Sequence, residues 1–404
     1  MNFNEIVQTI KDTCNVQVSL VPELPAIVSS CLSLKNIKPP LVTIELYDKI
    51  CNQISSLHYD ENVVPYPIAK ENAFTFIDLF AGIGGFRQAF QSVGGKCVFS
   101  SEWDEKAKKT YQDNYGVVPY GNIRNIPAAE IPDHDILCGG FPCQPFSIAG
   151  VSKKNSMGKA TGFDDPTQGT LFFEIKRILA EKRPKMFMLE NVKNILSHNE
   201  GKTIQVIKDS FDELGYKYSL SVVDASAWIP QRRKRVFFVG WDPKQIDITS
   251  FDIPCKPSDA NYIVPQLKDI IDLQCHDRQL TAGTWQALQN HKKKHKEKHN
   301  GFGYCLLPYP IPSDQVAWTI SARYNKDGAD CLVNLGEGQN PRKLLLSEIM
   351  QLMGYDPNRF IMKEGIGCSF KQLGNSVVVP AIRETANRMA KILQNEKIKE
   401  KKQE

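Results

Sequence analysis

A cysteine in a turn rich in glycine and proline is the first residue whose setting suggests chemistry. The stretch from Gly139 to Ser147 reads Gly-Gly-Phe-Pro-Cys-Gln-Pro-Phe-Ser and follows a short apolar run, residues 135–138, that predicts a buried strand. The glycine pair ends this strand, and the prolines stiffen the turn that presents Cys143. Ligands of open α/β sheets bind at the carboxyl ends of strands, which makes Cys143 a candidate nucleophile. Taken alone, a buried and inert cysteine is the alternative.

Two further stretches carry polar side chains at the ends of predicted strands. Glu190 follows the apolar run 186–189, one βα unit after Cys143. A carboxyl group beside a thiol can act as an acid or a base. Arg233 and Arg235 lead into a later strand, and alternate residues of an extended chain point to one side. The two arginines suit the binding of an anion or the anchoring of a base-binding loop, and a solvated strand edge is the alternative. For Glu190 the alternative is a glutamate that caps the next helix.

A glycine-rich turn indicates a nucleotide pocket. Gly82 and Gly84 lie between the β-branched and aromatic run 74–80 and a helical stretch, where glycines let a ligand approach the backbone. Glu102, at the end of the next strand, suits the hydroxyl groups of a ribose, and Trp103 offers a flat face to an adenine. The spacing fits neither the dinucleotide fingerprint nor a phosphate-binding loop, so an adenosine without a pyrophosphate is favoured. A packing turn beside a surface acid is the alternative.

Strand and helix patterns alternate around these residues. Strands are predicted at residues 74–80, 97–100, 135–138, 186–189, 220–223 and 236–239, and helices at 87–93, 170–181 and 202–214. This alternation predicts a doubly wound, Rossmann-like α/β fold with a parallel sheet covered on both faces.

The alternation fades after Trp241. Residues 242 to about 340 are expected to be rich in loops, with a basic run at 291–296 that suits phosphate contacts or, alternatively, forms a solvated face. Periodicity returns at residues 344–353, a final helix is expected at 381–394, and the tail from Lys397 is expected to fray.

Composition narrows the class of protein. Of 404 residues, 42% are hydrophobic and 24% charged, which fits two domains plus an appendage. The sequence lacks an apolar run of membrane-spanning length and the pattern of a signal peptide, so eleven cysteines indicate reduced thiols in a cytosol. The absence of a Cys-x-x-Cys pair argues against a zinc ribbon, and the net charge of +5 permits a polyanionic partner without requiring one.

Residues 1–72 differ from the rest of the chain. Prolines recur between short apolar stretches, and residues 41–57 have helical spacing. These features predict a mostly helical N-terminal appendage with a linker near its end. A DNA-contacting or dimerising module and a simple packing extension are both open.

Six motifs in a fixed order carry a family resemblance. They read Phe-x-Gly-x-Gly-Gly, Glu-Trp, Gly-Phe-Pro-Cys-Gln, Glu-Asn-Val, Gln-x-Arg-x-Arg and Gly-Asn-Ser-Val. The series resembles the DNA (cytosine-5) methyltransferases over residues 74–393, and residues 149–156, 301–304 and 322–328 are similar to stretches of the bacterial Dcm-type enzymes. The resemblance implies a catalytic domain of residues 73–241 plus 342–396, a smaller and irregular target-recognition domain of residues 242–341, and the appendage 1–72.

The resemblance also implies a role for each candidate residue. Cys143 would add to carbon 6 of a cytosine flipped out of the duplex, Glu190 would hold the ring at nitrogen 3, and Arg233 and Arg235 would contact the base and its backbone. S-adenosylmethionine would be converted to S-adenosylhomocysteine without a metal. The implied cofactor residues are Phe80, Gly82, Gly84, Glu102, Trp103, Asn122, Ile123, Pro142, Leu171, Asn375 and Ser376. The implied DNA contacts are Gln144, Ser147, Gln231 and Arg323, with the loop 147–163 closing over the site.

The same likeness suggests a substrate and a setting. The inner cytosine of CCWGG in double-stranded DNA is expected to be methylated by a monomer. The protein is expected to be bacterial or phage-encoded, cytoplasmic, and associated with the nucleoid when it is on DNA, and a cognate restriction endonuclease is a candidate partner. Three rivals are a transfer-RNA cytosine-5 methyltransferase, a silent DNA-binding protein and a nicotinamide-dependent redox enzyme. The long variable region favours DNA over transfer RNA as the substrate. The presence of Cys143 and Glu190 favours an enzyme over a silent DNA-binding protein. A redox enzyme would bind NAD and not S-adenosylmethionine.

Two departures from the family pattern carry consequences. Asn122-Ile123 stands where the family usually has Asp-Ile. Because the amide carbonyl of asparagine still accepts a hydrogen bond from an adenine amino group, we expect at most a moderate loss of cofactor affinity. Residues 345–348 read Leu-Leu-Ser-Glu instead of Thr-Pro-Arg-Glu, which affects the packing between the two domains and leaves the chemistry unchanged.

Overall fold

The structure is a computed structural model that describes residues 64–67, 72–141, 171–297, 299, 303–327 and 331–403. Four of the expected site residues, Pro142, Cys143, Gln144 and Ser147, lie outside the described residues. The expected N-terminal appendage lies outside them too, except for residues 64–67 and Asn72.

A six-stranded sheet organises the described chain. Its strands are β1 Phe74–Leu79, β2 Gly95–Ser101, β3 Ile136–Gly140, β4 Met186–Val192, β5 Lys217–Asp224 and β6 Lys234–Trp241. Their spatial order is β2-β1-β3-β4-β6-β5, and β1 to β4 run parallel. Strand β6 is antiparallel to both of its neighbours, so the expectation of a fully parallel sheet is wrong at this edge. Residues 225–233 join β5 to β6, and this connection is too short for the crossover that parallel neighbours require.

Helices cover both faces of the sheet, which confirms the doubly wound α/β fold. They are α1 Gly85–Gln91, α2 Glu105–Tyr115, α3 Leu171–Lys182, α4 Lys202–Glu213, α5 Leu267–Ile270, α6 Ala282–Glu297, α7 Tyr324–Asp327, α8 Leu346–Leu352, α9 Ile366–Asn375 and α10 Val379–Gln403. On one face, Phe90 of α1 and Met389 of α10 belong to the same buried cluster as Phe76. On the other, Phe211 of α4 clusters with Leu79. Within the described ranges, no helix combines the length and apolar character that a bilayer crossing needs.

Two helices correct the expectations for the second half of the chain. The basic run lies on α6, which has no buried residue, and not in a loop. Residues 285–297 contain neither glycine nor proline and include strong helix formers such as lysine, glutamine and leucine, so a helix forms without a core to pack on. Helix α10 continues through the tail that was expected to fray. Its Lys397 donates a hydrogen bond to the carbonyl of Ala73, which ties that part of the helix to the start of β1.

A buried ion pair secures the segment that departs from the family pattern. Glu348 accepts hydrogen bonds from both terminal nitrogens of Arg342, at 2.6 and 2.9 Å, and both side chains are almost completely buried. The same carboxylate accepts from the backbone N–H groups of Asp272 and Leu345, at 3.0 and 2.7 Å. Removal of either charged partner would leave the other charge buried alone, which typically costs about 3–5 kcal/mol. Glu348 therefore holds this segment in place, although the three residues before it differ from the usual family pattern.

Candidate active site

The glycine turn after β1 is held from two sides. Gly82 and Gly84 have φ values of 55° and 83°, in the left-handed region that glycine tolerates best. The ring of Tyr115 lies so close that a Cβ atom on Gly84 would stand 2.3 Å from it, and the Tyr115 hydroxyl donates to the Gly84 carbonyl at 2.9 Å. A Cβ on Gly85 would meet the side chains of Val377 and Ser376 at 2.7 and 2.9 Å. The turn is thus enclosed by α2 and by the segment after α9.

Glu102 joins the ends of two neighbouring strands. Its Oε2 atom accepts from the backbone N–H of Gly82 at 2.8 Å, and its Oε1 atom accepts from those of Trp103 and Asp104, each at 2.8 Å. Burial raises the pKa of this carboxyl, and the three backbone donors oppose that rise. Since a carboxylate has about four acceptor positions, the three bonds leave room for a ligand hydroxyl. The adjacent Trp103 side chain is 77% exposed.

Two adjoining cavities collect most of the expected cofactor residues. One, of about 170 Å³, is lined by Phe80, Glu102, Trp103, Asn122, Ile123 and Leu171, among others. The other, of about 590 Å³, shares four of these and adds Gly82, Asn375, Ser376, Glu190, Arg233 and Arg235. Ligand pockets commonly measure about 300–1,000 Å³. One continuous cleft therefore joins the proposed adenosine end to the proposed catalytic end.

The adenosine end fits a nucleoside on its own chemistry. A Cβ atom on Gly82 would meet nothing within 4 Å, so the turn leaves open space in front of its backbone. The Glu102 carboxylate and the exposed indole of Trp103 border that cleft, and they match a ribose hydroxyl and a flat base. Among the described residues, no group of three or more histidines, cysteines and carboxylates is placed to hold a metal ion.

Glu190 lies at the catalytic end, buried at the end of β4. Its Oε1 atom lies 3.1 Å from Nε of Arg235, which reaches it from β6. Burial raises the pKa of Glu190, whereas Arg235 and then Arg233 lower it. Gly140 of β3 lies in register with Glu190, and a Cβ atom there would stand 3.7 Å from Oε2. The carboxyl group thus lies beside the point where the chain leaves β3 towards Cys143.

Arg233 connects segments that are distant in the sequence. Its guanidinium donates to the carbonyls of Ile320, Gly374 and Ser376, at 2.9, 3.0 and 2.8 Å. It is 3% exposed, and burial lowers its pKa. These contacts agree with the interpretation of this arginine as the anchor of a loop. Arg233 also lines the cleft, so a contact with the base stays a prediction.

The structure places three other expected residues differently or leaves them open. Gln231 is fully buried, its amide nitrogen donates to Leu352 O at 2.6 Å, and its amide oxygen accepts from Ile320 N at 3.0 Å. Because both polar atoms serve the backbone, the expected DNA contact of Gln231 is replaced by a packing role. Gly84 faces Tyr115 and does not line the cleft. Arg323 is exposed, and its expected DNA contact stays a prediction.

Sequence reasoning missed several residues that shape the cleft. Asn191 donates to the carbonyl of Phe141 at 2.9 Å, which fixes the end of β3 against β4. Lys371 of α9 lines the cleft and pairs with Asp104 at 2.9 Å. Asn191 lies in the Glu-Asn-Val motif and could have been assigned from it, whereas nothing in the linear pattern marks Lys371 or Tyr115.

Comparison with known families decides to which family this chain belongs. Residues 74–391 match the family described as C-5 cytosine-specific DNA methylase. The chain belongs to this family. The DNA-cytosine methyltransferase of Escherichia coli strain K12 is 39% identical to this methylase over 380 residues, covering 81% of the chain and 80% of the relative. The type II methyltransferase M1.ScrFI of Lactococcus lactis subsp. cremoris is 40% identical over 348 residues, covering 85% of each.

Solved structures support the fold of this methylase. The crystal structure of the S. pombe Dnmt2 methyltransferase matches with a TM-score of 0.60 at 16% identity, covering 80% of this chain and 99% of that one. The family match and the two relatives show that the methylase is a DNA (cytosine-5) methyltransferase, the solved structure shows the Rossmann-like fold of its class, and S-adenosylmethionine is its expected methyl donor. The transfer-RNA enzyme, the silent DNA-binding protein and the redox enzyme are not favoured.

Proposed function

We propose that this methylase transfers a methyl group from S-adenosylmethionine to carbon 5 of a cytosine that is flipped out of duplex DNA, through a transient bond to Cys143. The observation that carries the proposal is the single cleft that joins Gly82, Glu102 and Trp103 to Glu190 and Arg235. The span from Gly140 to Cys143 is at most about 11 Å of extended chain. Since Gly140 lies in register with Glu190, the thiol can reach the same cleft.

Each residue of the site has a step in this reaction. The thiolate of Cys143 adds to carbon 6, and the electrons of the ring double bond move towards nitrogen 3, where the buried acid Glu190 donates a proton. S-adenosylmethionine supplies a methyl group on a positively charged sulfur. Carbon 5 attacks that methyl group, with S-adenosylhomocysteine as the leaving group. Carbon 5 then loses its hydrogen as a proton to water, the bond between the Cys143 sulfur and carbon 6 breaks to regenerate the thiolate, and nitrogen 3 returns its proton to Glu190, which restores the ring. Arg235 keeps Glu190 in place and faces the base.

The cofactor roles follow from the two ends of the cleft. Glu102 would accept from the ribose, Trp103 and Ile123 would flank the adenine, and Asn122 would accept from the adenine amino group. Phe80, Gly82, Pro142, Leu171, Asn375 and Ser376 would complete the site, with Gly84 acting through the shape of the turn. Glu102 is already oriented by three backbone donors, so its geometry is set before the ligand arrives.

DNA would bind between a catalytic domain, residues 73–241 plus 342–396, and a recognition domain, residues 242–341. On helix α6, within residues 242–341, Lys292 donates to the carbonyl of Tyr304 at 2.9 Å, whereas the basic residues at positions 291, 293, 294 and 296 are exposed to solvent. Such a surface suits sequence-independent phosphate contacts. Arg323, Gln144 and Ser147 are proposed to approach bases, and flipping exposes the target carbon, which a stacked duplex hides.

We further propose the inner cytosine of CCWGG as the target, within a restriction-modification system, with the methylase acting as a monomer in the cytoplasm. The names of relatives support this setting, since one is a DNA-cytosine methyltransferase of Escherichia coli and another a type II methyltransferase. A map of 5-methylcytosine in a host that expresses the gene tests the site. Methylation confined to another motif would refute the CCWGG assignment and leave the chemistry untouched.

A trapping experiment tests the covalent step. Duplex DNA with 5-fluorocytosine at the target, incubated with the protein and S-adenosylmethionine, should give an adduct that survives denaturation, because fluorine cannot leave carbon 5 as a proton does. Cys143→Ser should abolish both the adduct and turnover. Cys255→Ser, which changes an exposed cysteine that does not line the cleft, is the matched control and should form the adduct normally. An adduct with Cys143→Ser, or none with the unaltered protein, contradicts the mechanism.

A further inference from the structure

A short strap upstream of the family match is built into the catalytic fold. The strap, residues 64–67, precedes residue 74, where the family match begins. Three backbone groups fix it: Tyr66 N–H donates to Asn114 O at 3.0 Å, Gln91 donates to the Tyr66 carbonyl at 3.1 Å, and Arg359 donates to the Pro65 carbonyl at 2.7 Å. The strap therefore bridges α1, α2 and the loop before α9.

The side chain of Tyr66 enters an aromatic cluster, which consists of Tyr66, Tyr115, Tyr355 and Phe360. The Tyr66 ring lies 5.9 Å from that of Tyr115 and 6.0 Å from that of Phe360, and Phe360 lies 4.4 Å from Tyr355. The guanidinium of Arg359 covers the outer face of Tyr66 at 4.3 Å. Such pairs of rings are worth about 0.5–1.5 kcal/mol each beyond their buried area.

The aromatic cluster touches the cofactor site at two points. Tyr115 donates to the Gly84 carbonyl at 2.9 Å and packs against the α-carbon of that glycine. The Tyr355 hydroxyl lies 2.7 Å from Oγ of Ser376. The ring of Tyr66 therefore contacts Tyr115, which holds the glycine turn, and Phe360, which packs on Tyr355 beside Ser376 at the C-terminal side of the cleft.

We infer that Tyr66 is a positioning residue for the cofactor, acting through Tyr115 and Phe360 on Gly84 and Ser376. Tyr66 does not line the cleft, so its effect passes through these rings. Loss of the Tyr66 ring leaves Tyr115 and Phe360 without one wall, and both rings gain freedom to shift. The turn at Gly84 then loses the tight contact that sets its backbone. The inference rests on the proposed cofactor role of this turn.

Tyr66→Ala tests the inference. We expect the Kd for S-adenosylhomocysteine, measured by titration calorimetry on the full chain, and the KM for S-adenosylmethionine to rise at least about fivefold, the lower end of typical couplings between sites. The value of kcat at saturating cofactor should change little, because Glu190 and Cys143 are untouched. Tyr66→Phe keeps the ring and should restore normal values.

Two further variants separate positioning from general destabilisation. Tyr216→Ala removes a ring that is similarly covered by an arginine, Arg183, at 4.4 Å, but lies on the other face of the sheet. It should lower the melting temperature without raising the Kd. Arg359→Gln loosens the strap at an exposed position and should raise the Kd even if Tyr66→Ala fails to fold.

The outcomes distinguish this inference from the proposed function. If the unaltered protein binds S-adenosylhomocysteine and the Kd is unchanged in both Tyr66→Ala and Arg359→Gln, the positioning role is wrong. It is also wrong if Tyr216→Ala raises the Kd as much as Tyr66→Ala does. If the unaltered protein binds neither S-adenosylhomocysteine nor S-adenosylmethionine, the proposed cofactor site itself fails.

Discussion

Two buried glutamates at the same edge of the sheet face one cleft with different partners. Glu102 accepts from three backbone N–H groups, all from its own strand end or from the neighbouring turn. Glu190 instead pairs with a charged side chain, Arg235, that arrives from another strand. Burial raises the pKa of both, so burial alone does not distinguish them. The backbone donors hold Glu102 in one orientation, which suits its proposed binding role, whereas Glu190 is held by charged side chains, Arg235 and then Arg233, and has the proposed role in proton transfer.

The largest effect is expected at Glu190. Glu190→Gln keeps the shape of the side chain but cannot donate an acidic proton at nitrogen 3, so kcat should fall about 10²- to 10⁴-fold, the usual contribution of a general acid. The Kd for S-adenosylmethionine should stay unchanged. Single-turnover rates and calorimetry measure the two quantities. An unaltered rate would show that Glu190 takes no part in the chemistry. A raised Kd for S-adenosylmethionine would show that Glu190, like Glu102, contributes to cofactor binding.

Glu102 should show the opposite pattern. Glu102→Gln turns one of the two acceptor oxygens into an NH2 donor that faces a backbone N–H group, so the side chain is displaced and the charge-assisted hydrogen bond to the ribose is lost. Such a bond is worth about 1.5–3 kcal/mol. We expect the Kd for S-adenosylmethionine to rise roughly 10- to 150-fold. Turnover at saturating cofactor should remain near that of the unaltered protein. A fall in kcat without a change in Kd would reverse the assignment of the two glutamates.

A third buried carboxyl, Asp78 on β1, tests the electrostatic side of the comparison. Burial raises its pKa well above 3.8, Arg87 lowers it, and Glu102 contributes to the rise. Because the folded state holds the proton on Asp78 more tightly than the unfolded state does, this proton adds to the free energy of unfolding. The contribution is fully present below the pKa of the unfolded state and is lost as pH rises through the pKa of the folded state. Asp78→Asn should abolish this loss of stability with rising pH. Urea unfolding at several pH values between 4 and 8 measures it, and parallel profiles for the two proteins would contradict the expectation.

The smallest effect is expected at Asn122. This residue lines the adenosine end, and its side-chain oxygen accepts from Arg124 N at 3.2 Å. Asn122→Asp supplies the acid that the family usually has, and a charged acceptor is worth about 1 kcal/mol more than a neutral one. The Kd for S-adenosylmethionine should fall roughly fivefold. Asn125→Asp, on an exposed position of the same turn, adds the same charge away from the cavity and should leave the Kd unchanged.

Local patterns predicted most of the sheet. Each of the six strands overlaps an expected run, because a buried strand needs a short apolar segment bounded by turns. The direction of β6 was missed, since the antiparallel return depends on how few residues follow β5. Helix α6 was missed for a different reason: a helix without a buried face has no apolar period to detect.

The sequence by itself determined which groups can do chemistry and in what order they come. Glu102 and Trp103 are adjacent, and the Gly82 turn follows directly from β1, so their proximity depends on short stretches of chain. Tertiary structure alone decided which residues serve the scaffold. Gln231 and Arg233 stand two residues apart in the sequence. Both polar atoms of the Gln231 side chain bond to backbone groups, whereas Arg233 anchors the C-terminal segment and also lines the cleft. The backbone groups that bond to these two side chains lie 87 to 143 positions away in the sequence, and no local periodicity encodes contacts at that distance.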